Sequence, residues 1–203
     1  MFNLWLALAT VGGMLAAVAI AWFFCRELMP LSRAIDRIGS LLGVVASWLV
    51  LLACVVSAGN ATIRYLFSYS SNAWLELQWY MFAGMVLLGS AYTLKVNEHV
   101  RVDLLYGWVS ERTRTWIDLF GGIFCLMPFC VILAYITWPW FVDAWYSGEI
   151  STNAGGLVRW PVKLILPLGF FFVAVQGVSE IIKCIAALTT DYVREHAYEK
   201  PLQ

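Results

Sequence analysis

Long, largely uncharged stretches alternate with short polar segments along the whole chain. The apolar runs lie at residues 1–25, 38–63, 77–94, 119–142 and 164–188. About 20 apolar residues form a helix long enough to cross the roughly 30 Å hydrocarbon core of a bilayer. The pattern therefore predicts an all-α integral membrane protein with five spans: a four-helix core and one additional N-terminal apolar helix. The polar segment 26–37 is predicted to connect the first two helices.

The stretch at residues 73–105 carries polar side chains at both ends of its apolar run. Trp74 and Glu76 precede the run and Trp79 lies at its start, whereas Lys95, Glu98, His99, Arg101 and Asp103 follow it. Asn72 is predicted to cap this helix, and we expect Glu76 in its first turn to bind helix-end amides or Arg64. A short interfacial helix is predicted after this span, at residues 102–109.

The composition agrees with contact between the chain and lipid. Hydrophobic residues make up 62% of the chain and charged residues only 13%, whereas soluble domains carry roughly 25% charged residues. At this length the apolar surplus is better explained by lipid contact than by an oversized soluble core.

The positive charges predict the orientation of the chain in its membrane. If each run crosses once, ten of the 13 Lys and Arg residues lie on one side: Arg26, Arg33, Arg37, Lys95, Arg101, Arg112, Arg114, Lys183, Arg194 and Lys200. The other side holds Arg64, Arg159 and Lys163. Because positive loops remain in the cytoplasm, we predict a periplasmic N-terminus and a cytoplasmic C-terminus.

The chain lacks the residues that chemistry within the bilayer would need. Its two histidines, His99 and His196, lie outside the apolar runs, so bis-histidine haem ligation within the membrane by this chain alone is excluded. Glu76 and Glu180 are the ionisable groups set inside helices, at opposite ends of different helices, which makes a poor ion relay. We expect Glu180 to pair with Lys183 or with a partner. The sequence thus predicts a subunit without enzymatic activity, cofactor, metal or nucleic-acid partner.

Several ordered motifs resemble one family of transport proteins. They are Arg64-Tyr65, Ala73-Trp74-Leu75-Glu76, Gln78-Trp79-Tyr80, Glu98-His99-Val100-Arg101-Val102-Asp103, Arg159-Trp160-Pro161, Pro167-Leu168-Gly169, Gln176-Gly177 and Glu180-Ile181-Ile182-Lys183, with Gly155 and Gly156. Together they resemble the small membrane subunit of tripartite ATP-independent periplasmic (TRAP) transporters, the DctQ-like family. The resemblance covers roughly residues 35–188, and the apolar segment 1–25 departs from the usual four-helix pattern.

The resemblance implies a role within a three-protein, sodium-driven symporter for organic acids. A periplasmic binding protein delivers the substrate to a large, DctM-like elevator subunit, and the small subunit, in contact with membrane lipids, supports the large one and helps to dock the binding protein. The implied organisation is an extra helix at 1–25, a small-permease domain at 26–188 and a cytoplasmic tail at 189–203. The hypothetical partner interface comprises Arg64, Trp74, Glu76, Trp79, His99, Arg101, Asp103, Glu149, Gly155, Gly156, Arg159, Trp160 and Glu180.

Two other functions remain open from the residues alone. The chain could anchor an enzyme complex in the membrane, although the ligands for haem or metal are missing. It could also form a small homo-oligomeric exporter that uses Glu76. The transported compound is not indicated by the sequence.

Overall fold

Four long helical segments make up the computed structural model, which describes residues 4–69, 71–98, 108–190 and 192–193. Helix α1 spans Leu4–Phe67 and α2 spans Asn72–Lys95. Helix α3, Glu111–Gly121, continues through a π-helical turn at Gly122–Leu126 into α4, Met127–Ser147. Helix α5 spans Trp160–Thr189. Within the described residues the β-structure is one isolated bridge between Ile150 and Val158, so the predicted all-α class is confirmed.

Three helical segments are long and apolar enough to cross a membrane: Glu27–Phe67, Glu111–Ser147 and Trp160–Thr189. Helix α2 has 24 residues, a sufficient length, but its Gln, Tyr, Ser and Thr residues lower its mean hydropathy and it is not among the three. Its crossing of the membrane therefore stays a prediction.

Helix α1 differs from the prediction in one respect. Its 64 residues form a single helix that runs through the polar segment 26–37 and includes Pro30. The prediction that residues 26–37 separate two helices is therefore wrong. At 1.5 Å per residue α1 is about 96 Å long, and the reversal that two antiparallel spans require is absent from its described backbone.

The reason lies in the spacing of small and apolar residues on α1. From residue 27 onward, where the burial of every α1 residue is described, the buried positions are Ser32, Ile35, Gly39, Gly43 and Ala46. Steps of three and four residues place them on one face of a helix. This seam begins inside the polar segment and continues into the apolar run, so the packing favours one continuous helix.

The described chain divides into two compact units, and segments of α1, α2, α4 and α5 belong to each. The first unit comprises residues 1–39, 93–131 and 173–203, and the second comprises 40–92 and 132–172.

The core of the first unit lies between α3, its π-helical turn and the end of α5. It consists of the buried residues Leu119, Ile123, Cys184, Ile185 and Ala186. The π-helical turn directly precedes Pro128. Proline has no N–H to donate to the carbonyl four residues back, and the bonding before it shifts to a five-residue step, from the N–H of Met127 to the carbonyl of Gly122.

In the second unit, glycines bring the helices close together. A Cβ atom added to Gly43 would lie 2.5 Å from the ring of Tyr92, and one added to Gly169 would lie 2.7 Å from the Cβ of Leu87. Small residues permit such close contact between membrane helices, where no hydrophobic driving force draws helices together. Gly43 thus lets α1 approach Tyr92 of α2 closely.

Candidate functional site

Glu76 lies at the start of α2 and is 4% exposed. One of its carboxylate oxygens accepts hydrogen bonds from the hydroxyl of Ser151 and from Nδ2 of Asn153, the latter at 2.8 Å. The other accepts from the backbone N–H of Leu157 at 2.7 Å. Three donors from one segment, 75 to 81 residues later in the chain, thus converge on a single carboxylate. We call this group the Glu76 cluster.

The segment that supplies these donors, residues 148–159, is a folded loop. Gly148 and Gly155 have φ angles of +62° and +69°, in the left-handed region that glycine enters without strain. The N–H of Ser151 donates to the carbonyl of Leu157 at 2.9 Å, and that of Arg159 to Glu149 at 2.9 Å. The loop therefore holds its own backbone conformation and presents its donors to Glu76.

Two further hydrogen bonds tie the loop to α2. The Tyr80 hydroxyl donates to the carbonyl of Val158 at 3.1 Å, and Nδ2 of Asn72 donates to the carbonyl of Ala154 at 3.1 Å. Asn72 is therefore not the predicted helix cap. Ser71 takes that position, where its Oγ accepts from the N–H of Ala73.

Glu149, at the beginning of the loop, pairs with two cations. Its carboxylate binds the ammonium of Lys163 and lies 3.3 Å from a guanidinium nitrogen of Arg159. The Lys163 ammonium also lies 4.4 Å from the centre of the Trp140 ring. The hydrogen bond from Lys163, together with the charges of Lys163 and Arg159, holds the pKa of Glu149 below its ordinary value of 4.5. These contacts fix the end of the loop to α5.

A second polar cluster, in the other unit, joins α1 to α5. Asp36 accepts hydrogen bonds from Gln176 at 2.8 Å, Ser179 at 2.9 Å and Lys183 at 3.0 Å. The Lys183 ammonium also contacts Glu180 at 2.7 Å. Two carboxylates therefore share one ammonium, and we call this group the Asp36 cluster.

The Asp36 cluster is closely packed. The hydroxyls of Ser32 and Ser179, both fully buried, lie 2.7 Å apart. Nε2 of Gln176 donates to both Asp36 and Glu180. Its Oε1 atom has no hydrogen-bond partner within the described part of the chain and lies 2.8 Å from the position that a Cβ on Gly39 would take. The amide is thus fixed against the backbone of α1.

Neither cluster has the composition of a catalytic or metal site. Over the described residues, no group of three or more His, Cys, Asp or Glu side chains could hold a metal ion. The donors around Glu76 are hydroxyl, amide and backbone N–H groups, and the cation beside Asp36 is the chain's own lysine. Both arrangements satisfy a buried carboxylate, and they join elements that are distant in sequence.

A comparison with family models places the chain among known transport proteins. The model described as tripartite ATP-independent periplasmic transporters, DctQ component, matches residues 53–187. The chain belongs to this family. The matched residues include the whole Glu76 cluster and the α5 half of the Asp36 cluster, whereas Ser32 and Asp36 precede them.

Curated members of the DctQ family resemble part of the chain. The C4-dicarboxylate TRAP transporter small permease protein DctQ of Vibrio cholerae is 30% identical over 100 residues, which cover 47% of this chain and 43% of that protein. The protein of the same name from Pseudomonas aeruginosa is 22% identical over 107 residues, covering 52% and 50%. The chain spans about half the length of the curated relatives it matches. No solved structure matches it.

The structure gathers part of the predicted DctQ partner interface around one loop. Glu76, Glu149, Gly155, Gly156, Arg159 and Trp160 all belong to the second unit and contribute to or directly adjoin the folded loop. A Cβ on Gly156 would lie 2.4 Å from that of Ser151. The ring of Trp160 packs edge-on against Trp145 at 4.6 Å.

The remaining predicted residues have other positions. Arg64 is exposed, and Trp74 and Trp79 are 41% and 65% exposed. Glu76 binds loop groups, so the expected bond to Arg64 or helix-end amides is wrong. Glu180 pairs with Lys183 as expected. His99, Arg101, Asp103 and most of the interfacial helix predicted at 102–109 lie outside the described residues.

The sequence did not reveal three members of the clusters, Asp36, Ser151 and Asn153. Asp36 was assigned to a connector, although Ser32, Ile35, Asp36 and Gly39 already have helical spacing. Ser151 and Asn153 lie in the polar segment between the last two apolar runs, and no local signal in the sequence links them to Glu76.

Proposed function

We propose that this chain is the small, non-enzymatic membrane subunit of a sodium-driven TRAP transporter in a bacterial inner membrane. It supports a large, DctM-like elevator subunit and helps to dock a periplasmic binding protein during uptake of an organic acid. Membership of the DctQ family carries the proposal. The relatives' names mention C4-dicarboxylates, which agrees with an acid as substrate.

The Glu76 cluster supports the docking part of this role. A loop whose conformation is fixed before a partner arrives loses less conformational entropy on binding. Here three hydrogen bonds to Glu76 and two cations on Glu149 fix residues 148–159. Ile150, on this loop, is 60% exposed. We therefore assign this loop to the surface that receives the binding protein.

The Asp36 cluster supports the scaffold part of the role. Its hydrogen bonds connect α1 and α5 through charged groups that are mostly buried, with 17% and 12% of the side chains of Asp36 and Lys183 exposed. Such a contact holds two helices in a fixed register. A subunit that steadies an elevator transporter needs that rigidity, whereas a transport pathway needs groups that exchange partners.

The two alternatives receive less support. An exporter that uses Glu76 would need this carboxylate to be available, but all its described bonds are made within the chain. An anchor for a redox complex would need ligands that neither cluster provides.

Co-purification and reconstitution test the proposal together. A tagged chain purified from its own membranes in mild detergent should carry a large multi-spanning subunit, identified by mass spectrometry. In proteoliposomes, uptake of an organic acid should require both membrane subunits, the binding protein and a sodium gradient. Uptake by this chain alone, or co-purification with redox subunits, would contradict the proposal.

A matched pair of variants tests the docking surface. In the reconstituted system, Glu76→Gln should weaken binding of the binding protein because it frees the loop. Asp143→Asn, an exposed change in the same unit, should leave binding unchanged. If the binding protein bound both variants equally well, residues 148–159 would not be part of the docking surface.

The orientation and number of spans form a separate part of the proposal. A cytoplasmic C-terminus and periplasmic N-terminus follow from the charge distribution. Five spans require a reversal within residues 26–37, where Pro30 already removes one helical hydrogen bond, whereas the structure has one continuous helix there. A reporter fused to the N-terminus decides between the two arrangements: activity only in the periplasm would support five spans, and cytoplasmic activity would refute them and agree with the continuous helix.

A further inference from the structure

Helix α3 and its π-helical turn carry a row of aromatic side chains that neither polar cluster involves. Trp116, Phe120 and Phe124 follow one another at intervals of four residues. The centres of the first two rings lie 5.7 Å apart with planes at 27°, and those of the last two lie 6.0 Å apart at 17°. The three rings stack in sequence, and we call them the aromatic ladder.

The ladder is fixed at one end and exposed along the rest of its length. Trp116 packs against the buried cluster that includes Leu119 and Cys184. Phe120 and Phe124 are 54% and 50% exposed, and the neighbouring Ile117 is 48% exposed. Because the segment Glu111–Ser147 is long and apolar enough to cross a membrane, this apolar surface can face hydrocarbon.

One positive charge extends the row of the ladder. Arg112, which is exposed, precedes Trp116 by four residues and so lies one turn further along the same side of the helix. The other charged residues of α3 are Glu111, Arg114 and Asp118. Successive residues are turned by about 100°, which puts these three roughly on the opposite side. The ladder therefore ends at a cation and has no carboxylate on its own face of α3.

The dimensions of the row match one leaflet of a bilayer. From Trp116 to Phe124 the helix rises about 12 Å, close to the roughly 15 Å that is half of a hydrocarbon core. Arg112 lies one helical turn beyond Trp116, and tryptophan prefers the level of the headgroups. An extended acyl chain can thus lie along the rings while its phosphate is at the height of the guanidinium.

We propose that Arg112 and the aromatic ladder form a binding site for an anionic phospholipid. The guanidinium binds the phosphate in the bidentate geometry that favours arginine over lysine, and one acyl chain packs along Trp116, Phe120 and Phe124. The charge at the end of the ladder distinguishes this occupant from an uncharged apolar partner. The site needs only that this segment lies in a membrane, so it stands or falls independently of the transporter role.

Native mass spectrometry of the full detergent-solubilised chain tests the site, with phosphatidylglycerol and phosphatidylcholine of identical acyl chains as probes. The wild type should retain phosphatidylglycerol in preference to phosphatidylcholine. A single basic residue near an anionic surface changes affinity by about fivefold, so Arg112→Gln should lower phosphatidylglycerol retention by about that factor. Arg112→Lys should recover part of it.

Two matched variants separate the site from general lipid contact. Arg33→Gln removes an exposed arginine from α1, and Phe171→Ala removes an aromatic ring that is 54% exposed on α5. Both should retain phosphatidylglycerol like the wild type, whereas Phe120→Ala combined with Phe124→Ala should retain less. Equal retention of the two lipids, or no effect of Arg112→Gln, would overturn the proposal and leave adventitious lipid only.

Discussion

The Glu76 and Asp36 clusters satisfy a buried carboxylate in two different ways. Glu76 receives three hydrogen bonds from uncharged donors of a single loop. Asp36 shares a lysine with Glu180 and receives further bonds from the face of one helix. Uncharged donors from a loop fix a surface, whereas an ion pair between helices fixes a bundle. In the proposed function the Glu76 cluster supports docking and the Asp36 cluster supports the scaffold, so we expect variants to affect the two clusters separately.

Asp36→Ala should produce the largest loss of stability. It leaves Lys183 with Glu180 alone and removes one of the acceptors of Gln176 and of Ser179. Removing one partner of a mostly buried ion pair leaves the other poorly compensated. We expect the free energy of unfolding to fall by about 3 kcal/mol, measured by SDS titration in mild detergent micelles. Arg33→Ala, an exposed change on the same helix, should have little effect, and an equal loss in both variants would contradict the assignment.

Gly39→Ala should destabilise the same helix contact by a smaller amount. The added Cβ would lie 2.8 Å from Oε1 of Gln176, whose amide is held by two hydrogen bonds. Overpacking of this kind costs about 1–2 kcal/mol, measured by the same unfolding titration. Gly59→Ala is the matched control, because no atom lies within 4 Å of its added Cβ. Equal stability of the two variants would show that Gln176 can move aside.

Glu76→Gln should have a local effect instead. In the variant, the NH₂ group of the new glutamine would face loop donors that bind the Glu76 carboxylate in the wild type. Some loop donors therefore lose their acceptor, whereas the packing of the helices is unchanged. We expect amide hydrogen exchange in residues 148–159 to accelerate about tenfold, the effect of losing one strong hydrogen bond. Exchange in the Asp36 cluster should stay unchanged. Acceleration in both regions would show that the clusters are not separate.

The sequence predicted contacts that are local and missed contacts that are distant. Glu180 and Lys183 are three residues apart on one helix, so their pairing follows from helical spacing. The partners of Glu76 are loop groups more than 70 residues away, and one is a backbone N–H that no residue type identifies. Only tertiary folding brings them together.

The continuity of α1 between the first two apolar runs could not be predicted for a related reason. Charge and proline predicted an interruption at residues 26–37, as they often do. However, Ser32, Ile35 and Gly39 form a buried row through that segment, and the packing of this row outweighs the local preference. The all-α class and most helix positions follow from hydropathy alone, whereas the continuity of α1 depends on contacts with α5.

Glu149→Gln should give the smallest effect on stability, and that effect should depend on pH. Lys163 and Arg159 lower the pKa of Glu149 in the folded chain. The charged carboxylate therefore stabilises the folded state fully above its ordinary pKa of 4.5. This stabilisation is lost as the pH falls through the lower pKa of the folded state. Glu149→Gln has no charge to lose. The difference in thermal unfolding midpoint between wild type and variant should therefore be constant near neutral pH and shrink below about pH 4.5. Since the pair is partly exposed, the difference should be smaller than that for Gly39→Ala. A difference that grows on acidification would reverse the sign and exclude Lys163 as the stabilising partner of the carboxylate.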